Sequence, residues 1–345
     1  MKLYLHAGTH KTGTTSVQLW LDQNRDILAE HDILYPKLKS IVYQHSQFLN
    51  EYNTHYQLDD EHVFQEQLAS KPWKSIILSG EVVSVLNREA LRRLAGRFKG
   101  FSVCPILVLR EWPGYLYSRW KQDVRRRDSW TFKSYIAKLE EMNFEHYDCS
   151  LDLVCENLSD SFQQLPILIG YEAAIERENS VLPAILRSME IPGQLLNQLD
   201  EVVRRNITPS NLVIERNRIA NLIYCNKNSL PEIGLFYMRP ISRKPIAKLD
   251  FLPRIKRSVI KKPSLWSNID NIIIGTENRF SLEHLKQPYH QWHTEFIENY
   301  GSSFFEGLQL KSMEQLEHWE QDIFETRLDN FPEELLERLS AELEI

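Results

Sequence analysis

The stretch that most constrains this chain is LYLHAGTHKTGTTSVQLWL, Leu3 to Leu21. A short apolar run gives way to a turn bounded by Gly8 and Gly13, and then to Val17, Trp20 and Leu21 at helical spacing. Strand, glycine turn and helix in that order are the opening of a parallel α/β unit. The turn also carries chemistry. Glycines let backbone N–H groups approach an anion, and the helix start adds a favourable dipole.

The first half of the chain repeats the alternation. Ser75–Ser79, Val103–Leu109 and Leu165–Gly170 read as buried strands, and Ile33-Leu34-Tyr35-Pro36 as a short one. Thr15–Glu30, Asn87–Phe98 and Trp112–Arg127 read as helices, with Asn87 a cap and Gly100 a stop. This predicts an α/β fold with a central parallel sheet flanked by helices. Ligands of such sheets bind at the carboxyl ends of the strands, which here are Gly8–Thr15, Gly80-Glu81, Arg110-Glu111 and Tyr171-Glu172.

Beyond about Pro192 helical patterns take over, at Leu195–Arg205, Ser210–Asn226, His290–Tyr300, Met313–Phe324 and Glu333–Leu343, with a strand at Asn271–Ile274. The expected organisation is an α/β core over 1–195, carrying a nucleotide site. A mainly helical region over 196–345 packs on it as a lid or acceptor side. The basic, proline-broken segment from Arg239 to Lys262 reads as an excursion or lid.

The 345 residues carry a formal net charge of -6, which argues against a nucleic-acid partner bound by bulk attraction. No apolar run is long enough for a signal-peptide core or a membrane span, so a cytoplasmic chain without an integral membrane segment is expected. Cys104, Cys149, Cys155 and Cys225 form no Cys-x-x-Cys pair and read as buried thiols of a reducing compartment. The histidines are scattered, and no metal site is expected.

A Walker-type nucleotide loop would place lysine directly after the second glycine. Here Thr14 holds that position and the lysine, Lys11, lies inside the loop. HAGTHKTGTTSVQLWL resembles the 5′-phosphosulfate loop of sulfotransferases that use 3′-phosphoadenosine 5′-phosphosulfate (PAPS). The resemblance implies a P-loop-like three-layer fold and a loop wrapped around the 5′-phosphate and sulfuryl group. Lys11 would then lie near the bridging oxygen, with Gly8, Thr12, Gly13, Thr14, Thr15 and Ser16 supplying backbone and hydroxyl donors.

VLREWPGYLYSRWKQ adds the arginine that ends a strand, Arg110, and the serine eight residues later, Ser118, which in this family bind the 3′-phosphate. Arginine's planar fork suits phosphate whatever the family. The family's usual proline two residues after the arginine is absent; Pro113 comes three after. The likeness resembles a bacterial-type branch and fades after about residue 200. The GxxGxxK element of many cytosolic members is not recognisable.

The implied reaction is in-line transfer of a sulfuryl group from PAPS to an acceptor hydroxyl or amine, releasing adenosine 3′,5′-bisphosphate (PAP) without a metal. Glu81, following its strand directly, is the first candidate for general base. His10, beside Lys11, is the second and His45 the third. His6 reads as a packed core histidine. Arg125-Arg126-Arg127 and the Arg239–Lys262 segment are solvated charge or a face for an anionic acceptor. Trp112, Trp120 and Trp130 are core or stacking platforms. The acceptor class, with a glycan or glycolipid among the options, and the oligomeric state stay open. Two other readings compete: a kinase or NTPase using ATP and Mg²⁺, and a non-catalytic interaction protein on the same core.

Overall fold

A computed structural model describes residues 1–9, 11–39, 43–52, 57–126, 128–144, 149–196, 209–230, 232, 263–316 and 319–342. His10, Arg127 and the whole basic segment 239–262 lie outside the described residues.

The chain divides into two compact units that interleave in sequence. The first comprises Met1–Glu111, Ser150–Asn206 and Tyr289–Gln315; the second comprises Trp112–Cys149, Ile207–Pro288 and Leu316–Ile345.

The first unit is built on five parallel strands: β1 (Lys2–His6), β2 (Ile33–Leu34), β3 (Ser75–Ser79), β4 (Ser102–Leu109) and β5 (Ile167–Gly170). Their order is β2-β3-β1-β4-β5, all pairings parallel, with Leu5 opposite Leu78 on one side and Pro105 on the other. Strand residues alternate between two apolar layers, as a sheet covered on both faces requires. Leu3, Leu5, Ile76, Leu78, Leu107 and Leu109 pack on one face with Leu91, Leu94 and Leu158. Tyr4, Ile77, Ile106 and Val108 pack on the other with Val17, Trp20 and Ile185. The α/β class expected from the alternation is therefore the fold.

The strand order puts β1 at the centre, between β3 and β4. The loops leaving these three strands at their carboxyl ends carry Lys11, Glu81 and Arg110. This is where open α/β sheets bind ligands.

The second unit has its own core, with Ile219, Ile223, Trp266, Ile269, Ile273, Phe324 and Leu339 packed together. It holds helices Trp112–Val124, Phe132–Glu141, Asn211–Lys227 and Glu333–Glu342. An antiparallel pair, β6 (Glu277–Ser281) and β7 (Glu320–Phe324), completes it.

Several element boundaries differ from the sequence expectation. The helix expected over Thr15–Glu30 is two, α1 (Thr14–Gln23) and a second over Arg25–Glu30. They part at Asn24, whose side-chain amide and backbone N–H both donate to the Trp20 carbonyl. A local side-chain bond of this kind competes with helix continuation. Asn271–Ile274, expected as a strand, is the last turn of a helix over Pro263–Ile274. Burial of Trp266, Ile269 and Ile273 at helical spacing outweighs the β-branched run there. Met313–Phe324, expected as a helix, is a single tight turn at Met313–Gln315 followed by β7. Pairing with β6 overrides local propensity. Of the helix expected over Leu195–Arg205, one turn ending at Leu196 is described and the rest lies outside the described residues.

Candidate functional site

The loop after β1 is fastened at Thr9 and Thr12 by their own hydroxyls. Thr9 donates to the Val108 carbonyl at 2.6 Å, and Thr12 donates to the Thr9 carbonyl at 2.6 Å. Both side chains are buried. The Thr12 hydroxyl is therefore engaged by the loop itself, and what Thr12 offers a ligand is its backbone.

Gly13 begins α1 in the left-handed region, at φ 81°, and among the described residues no side chain caps the helix. The first amides of α1, at Thr14 and Thr15, are thus left to a ligand or water. Gly8 is required for a different reason. A Cβ there would lie 2.4 Å from the Thr14 methyl and 2.9 Å from His6 Nε2. Lys11 also has left-handed geometry, at φ 66°. A non-glycine residue in that region signals a backbone held against its preference, which is common where a loop cradles a ligand.

Glu81 opens a short 3₁₀ turn, Glu81–Val85, directly after β3. Its carboxylate accepts a hydrogen bond from the Thr14 hydroxyl. The structure thereby brings the first turn of α1 and the carboxylate after β3 into contact, within one unit. Thr15 and Ser16 are half-buried on that same turn.

Arg110 lies at the end of β4. Its Nε donates to Glu172 at 2.9 Å, its Nη1 donates to the Lys11 carbonyl at 3.4 Å, and its guanidinium lies 4.7 Å from the Tyr171 ring centre. Arg110 therefore braces the lysine loop from the β4 side. Glu172 was legible as a sheet-edge residue, but its role as partner to Arg110 was not. The signal was the parallel pairing of β4 and β5, which places Leu109 opposite Gly170. Burial raises the Glu172 carboxyl above the usual carboxylate range, against the opposing pull of Arg110. Glu172 also accepts from the Glu111 backbone at 3.3 Å, and Glu111 accepts from the Lys311 backbone at 3.1 Å.

Ser118 is half-buried on helix Trp112–Val124, in the second unit. Trp112 and Trp120 are buried in that unit, and Trp120 donates to the Trp130 carbonyl at 3.0 Å. Trp112 and Trp120 are thus packed in the interior, while Trp130 is half-buried.

Two histidines sit beneath the site. His45 is fully buried, with Nε2 donating to the Pro36 carbonyl at 2.9 Å and Nδ1 accepting from the Ser79 backbone at 3.1 Å. Both ring nitrogens are engaged, and burial lowers its pKa to about 3. His45 has no lone pair to offer a substrate and fastens its loop to the end of β3. His6 is equally buried. Its Nδ1 meets the Ser79 hydroxyl at 2.8 Å, and burial lowers its pKa to about 4 against a raising influence from Glu81.

Among the described residues no group of three or more histidine, cysteine, aspartate or glutamate side chains could hold a metal ion. Among the same residues no helix is long and apolar enough to cross a membrane.

No family model matches the chain, and no curated protein matches it by sequence. Among solved structures, a sulfotransferase from Alicyclobacillus acidocaldarius aligns with 67% of this chain and 97% of its own length, at 15% sequence identity and a TM-score of 0.35.

Proposed function

We propose that this chain is a sulfotransferase that moves a sulfuryl group from PAPS to an acceptor hydroxyl or amine. The observation that carries the reading is the meeting of three strand ends in one unit. The loop bearing Lys11, the carboxylate of Glu81 and the guanidinium of Arg110 are tied together through Thr14 and the Lys11 carbonyl.

The residues suit the donor. The uncapped start of α1 favours an anion, and Lys11 and Arg110 add positive charge. PAPS supplies an already reactive S–O bond. The acceptor oxygen or nitrogen attacks sulfur, the bond from sulfur to the bridging oxygen breaks, and PAP leaves. Glu81 takes the acceptor proton. Lys11 stabilises the negative charge that grows on the bridging oxygen, and the loop amides with Thr15 and Ser16 hold the anionic groups. Arg110, braced by Glu172, is assigned to the 3′-phosphate, with Ser118 as its sequence partner. His10 keeps a secondary role beside Lys11. On this reading no metal is needed.

The experiment is PAP binding followed by transfer. Wild-type protein is expected to bind PAP with Mg²⁺ chelated. A requirement for ATP with Mg²⁺ would favour the NTPase reading, and no binding of either would favour an interaction protein. Lys11→Ala is expected to reduce sulfuryl transfer by roughly 10²–10³-fold without loss of fold. Arg110→Ala is expected chiefly to weaken PAP affinity. Labelled transfer screened across glycans, lipids and small alcohols identifies the acceptor. Full activity of Lys11→Ala on that acceptor would overturn the mechanism.

A further inference from the structure

His6 carries an unused polar atom at the heart of the loop. Its side chain is 0% exposed, and among the described residues its Nε2 has no hydrogen-bond partner. Leaving a buried polar atom unsatisfied is costly, and each such atom in a native fold calls for an explanation. The position of this one is informative. The Nε2 lies beside the α-carbon of Gly8, in the space that a Cβ would enter, where the Thr14 methyl also lies.

The hydrogen-bond network also sets which atom carries the proton. The Gln18 amide donates to the Ser79 hydroxyl oxygen at 3.2 Å. The remaining partner of that hydroxyl, among the described residues, is His6 Nδ1 at 2.8 Å. The Ser79 proton thus goes to Nδ1, which makes Nε2 the N–H of a neutral ring. Gln18 and Ser79 hold the ring in this orientation from α1 and β3. The result is a donor, uncharged and fixed in place, at the first glycine of a loop built to hold an anion.

We propose that His6 is a ligand-binding residue whose Nε2–H donates to a phosphate oxygen of the nucleotide seated in the Gly8–Ser16 loop. This rests on the reading of that loop as the site for PAPS and PAP. The neutral donor complements Lys11: it adds a directed hydrogen bond where the lysine adds charge.

The test compares two variants of the full chain by PAP titration. His6→Asn keeps a polar group near the Nδ1 position, and with it the Ser79 contact, but loses the donor at Nε2. His6→Gln extends an amide to the Nε2 position. The expected result is a PAP affinity about 10- to 100-fold weaker for His6→Asn, with His6→Gln restoring most of it. A packing role predicts the reverse order, since asparagine is the better mimic of the Ser79 contact. Wild-type affinity in His6→Asn, or tighter binding by asparagine than by glutamine, would overturn the proposal.

Should both variants fail to fold, ¹⁵N-histidine spectra of the wild-type protein decide the matter. At about pH 5 the buried imidazoles remain neutral, and one neutral Nε2–H signal is expected to shift when PAP is added. An unchanged set of neutral signals, in a protein that binds PAP, removes His6 from the ligand. Failure of the wild type to bind PAP at all is a separate outcome, which overturns the loop assignment and the His6 proposal together.

Discussion

Gly13 shows how one residue serves both fold and site. Its φ of 81° starts α1 without a capping side chain, and a Cβ there would sit 3.0 Å from a Val181 methyl. Replacement by alanine meets two penalties, the left-handed backbone and that close neighbour. Gly13→Ala is expected to cost about 1–2 kcal/mol, read as a lower denaturant midpoint with unchanged slope. On the proposed function it should also weaken PAP binding, because the first amides of α1 shift with the backbone. Unchanged stability would mean that the loop relaxes out of the left-handed region. At this scale the glycines, Lys11 and the hydroxyl run were legible, since each acts within a few residues of chain. The inward turn of Thr12, the Thr14–Glu81 contact and the Arg110–Glu172 pair were not. The two contacts depend on which strand lies beside which, and the sheet order β2-β3-β1-β4-β5 cannot be read from spacing; the turn of Thr12 depends on the loop's own closure.

Among the elements, β3 does more than supply a core strand. Its final residue, Ser79, contacts both His6 and His45, so two buried neutral imidazoles flank one strand end. Folding lowers their pKa values to about 4 and about 3, from an ordinary value of 6.5. The unfolded chain therefore binds more protons than the folded one below pH 6.5. Their neutral, packed state contributes its full stability above that pH and loses it as the pH falls toward the folded values. Between pH ~7 and pH ~5 the loss is about 2 kcal/mol per histidine, measured by chemical denaturation across that range. His45→Gln is expected to flatten the dependence by about half. An equal slope in this variant would show that His45 does not titrate on unfolding. Regular elements with strong local patterns were legible here, including the Asn87 cap, whose side chain accepts from the Ala90 amide. Met313–Phe324 was misread because β7 exists by pairing with a strand distant in sequence, β6.

Across the whole molecule, chain order and spatial order part company. Residues Tyr289–Gln315 belong to the unit built on the five-stranded sheet, although they come long after its last strand in the chain. Phe304 bridges to Leu168, and the Gly170 backbone donates to the Leu308 carbonyl at 2.6 Å, so this segment extends the β5 edge. Its helical part buries Phe296, 1% exposed, in the same layer as Leu78 and Leu109. Glu306 in the same segment pairs with Arg177 and Arg187 at the surface. No composition shift marks this return, because aromatic residues at helical spacing read alike in any docked helix. The two kinds of contact predict different outcomes. Phe296→Ala removes a buried ring and is expected to cost about 3–5 kcal/mol. Glu306→Gln weakens a half-exposed ion pair and is expected to cost less than about 1 kcal/mol. Thermal unfolding followed with and without PAP separates them. Phe296→Ala should lower the transition of the unit that PAP is expected to stabilise, even though Phe296 stands far from the loop in sequence. If that transition were unchanged while another fell, Phe296 would not belong energetically to the layer beneath β3 and β4. The late segment would then be an addition to the sheet rather than part of its core.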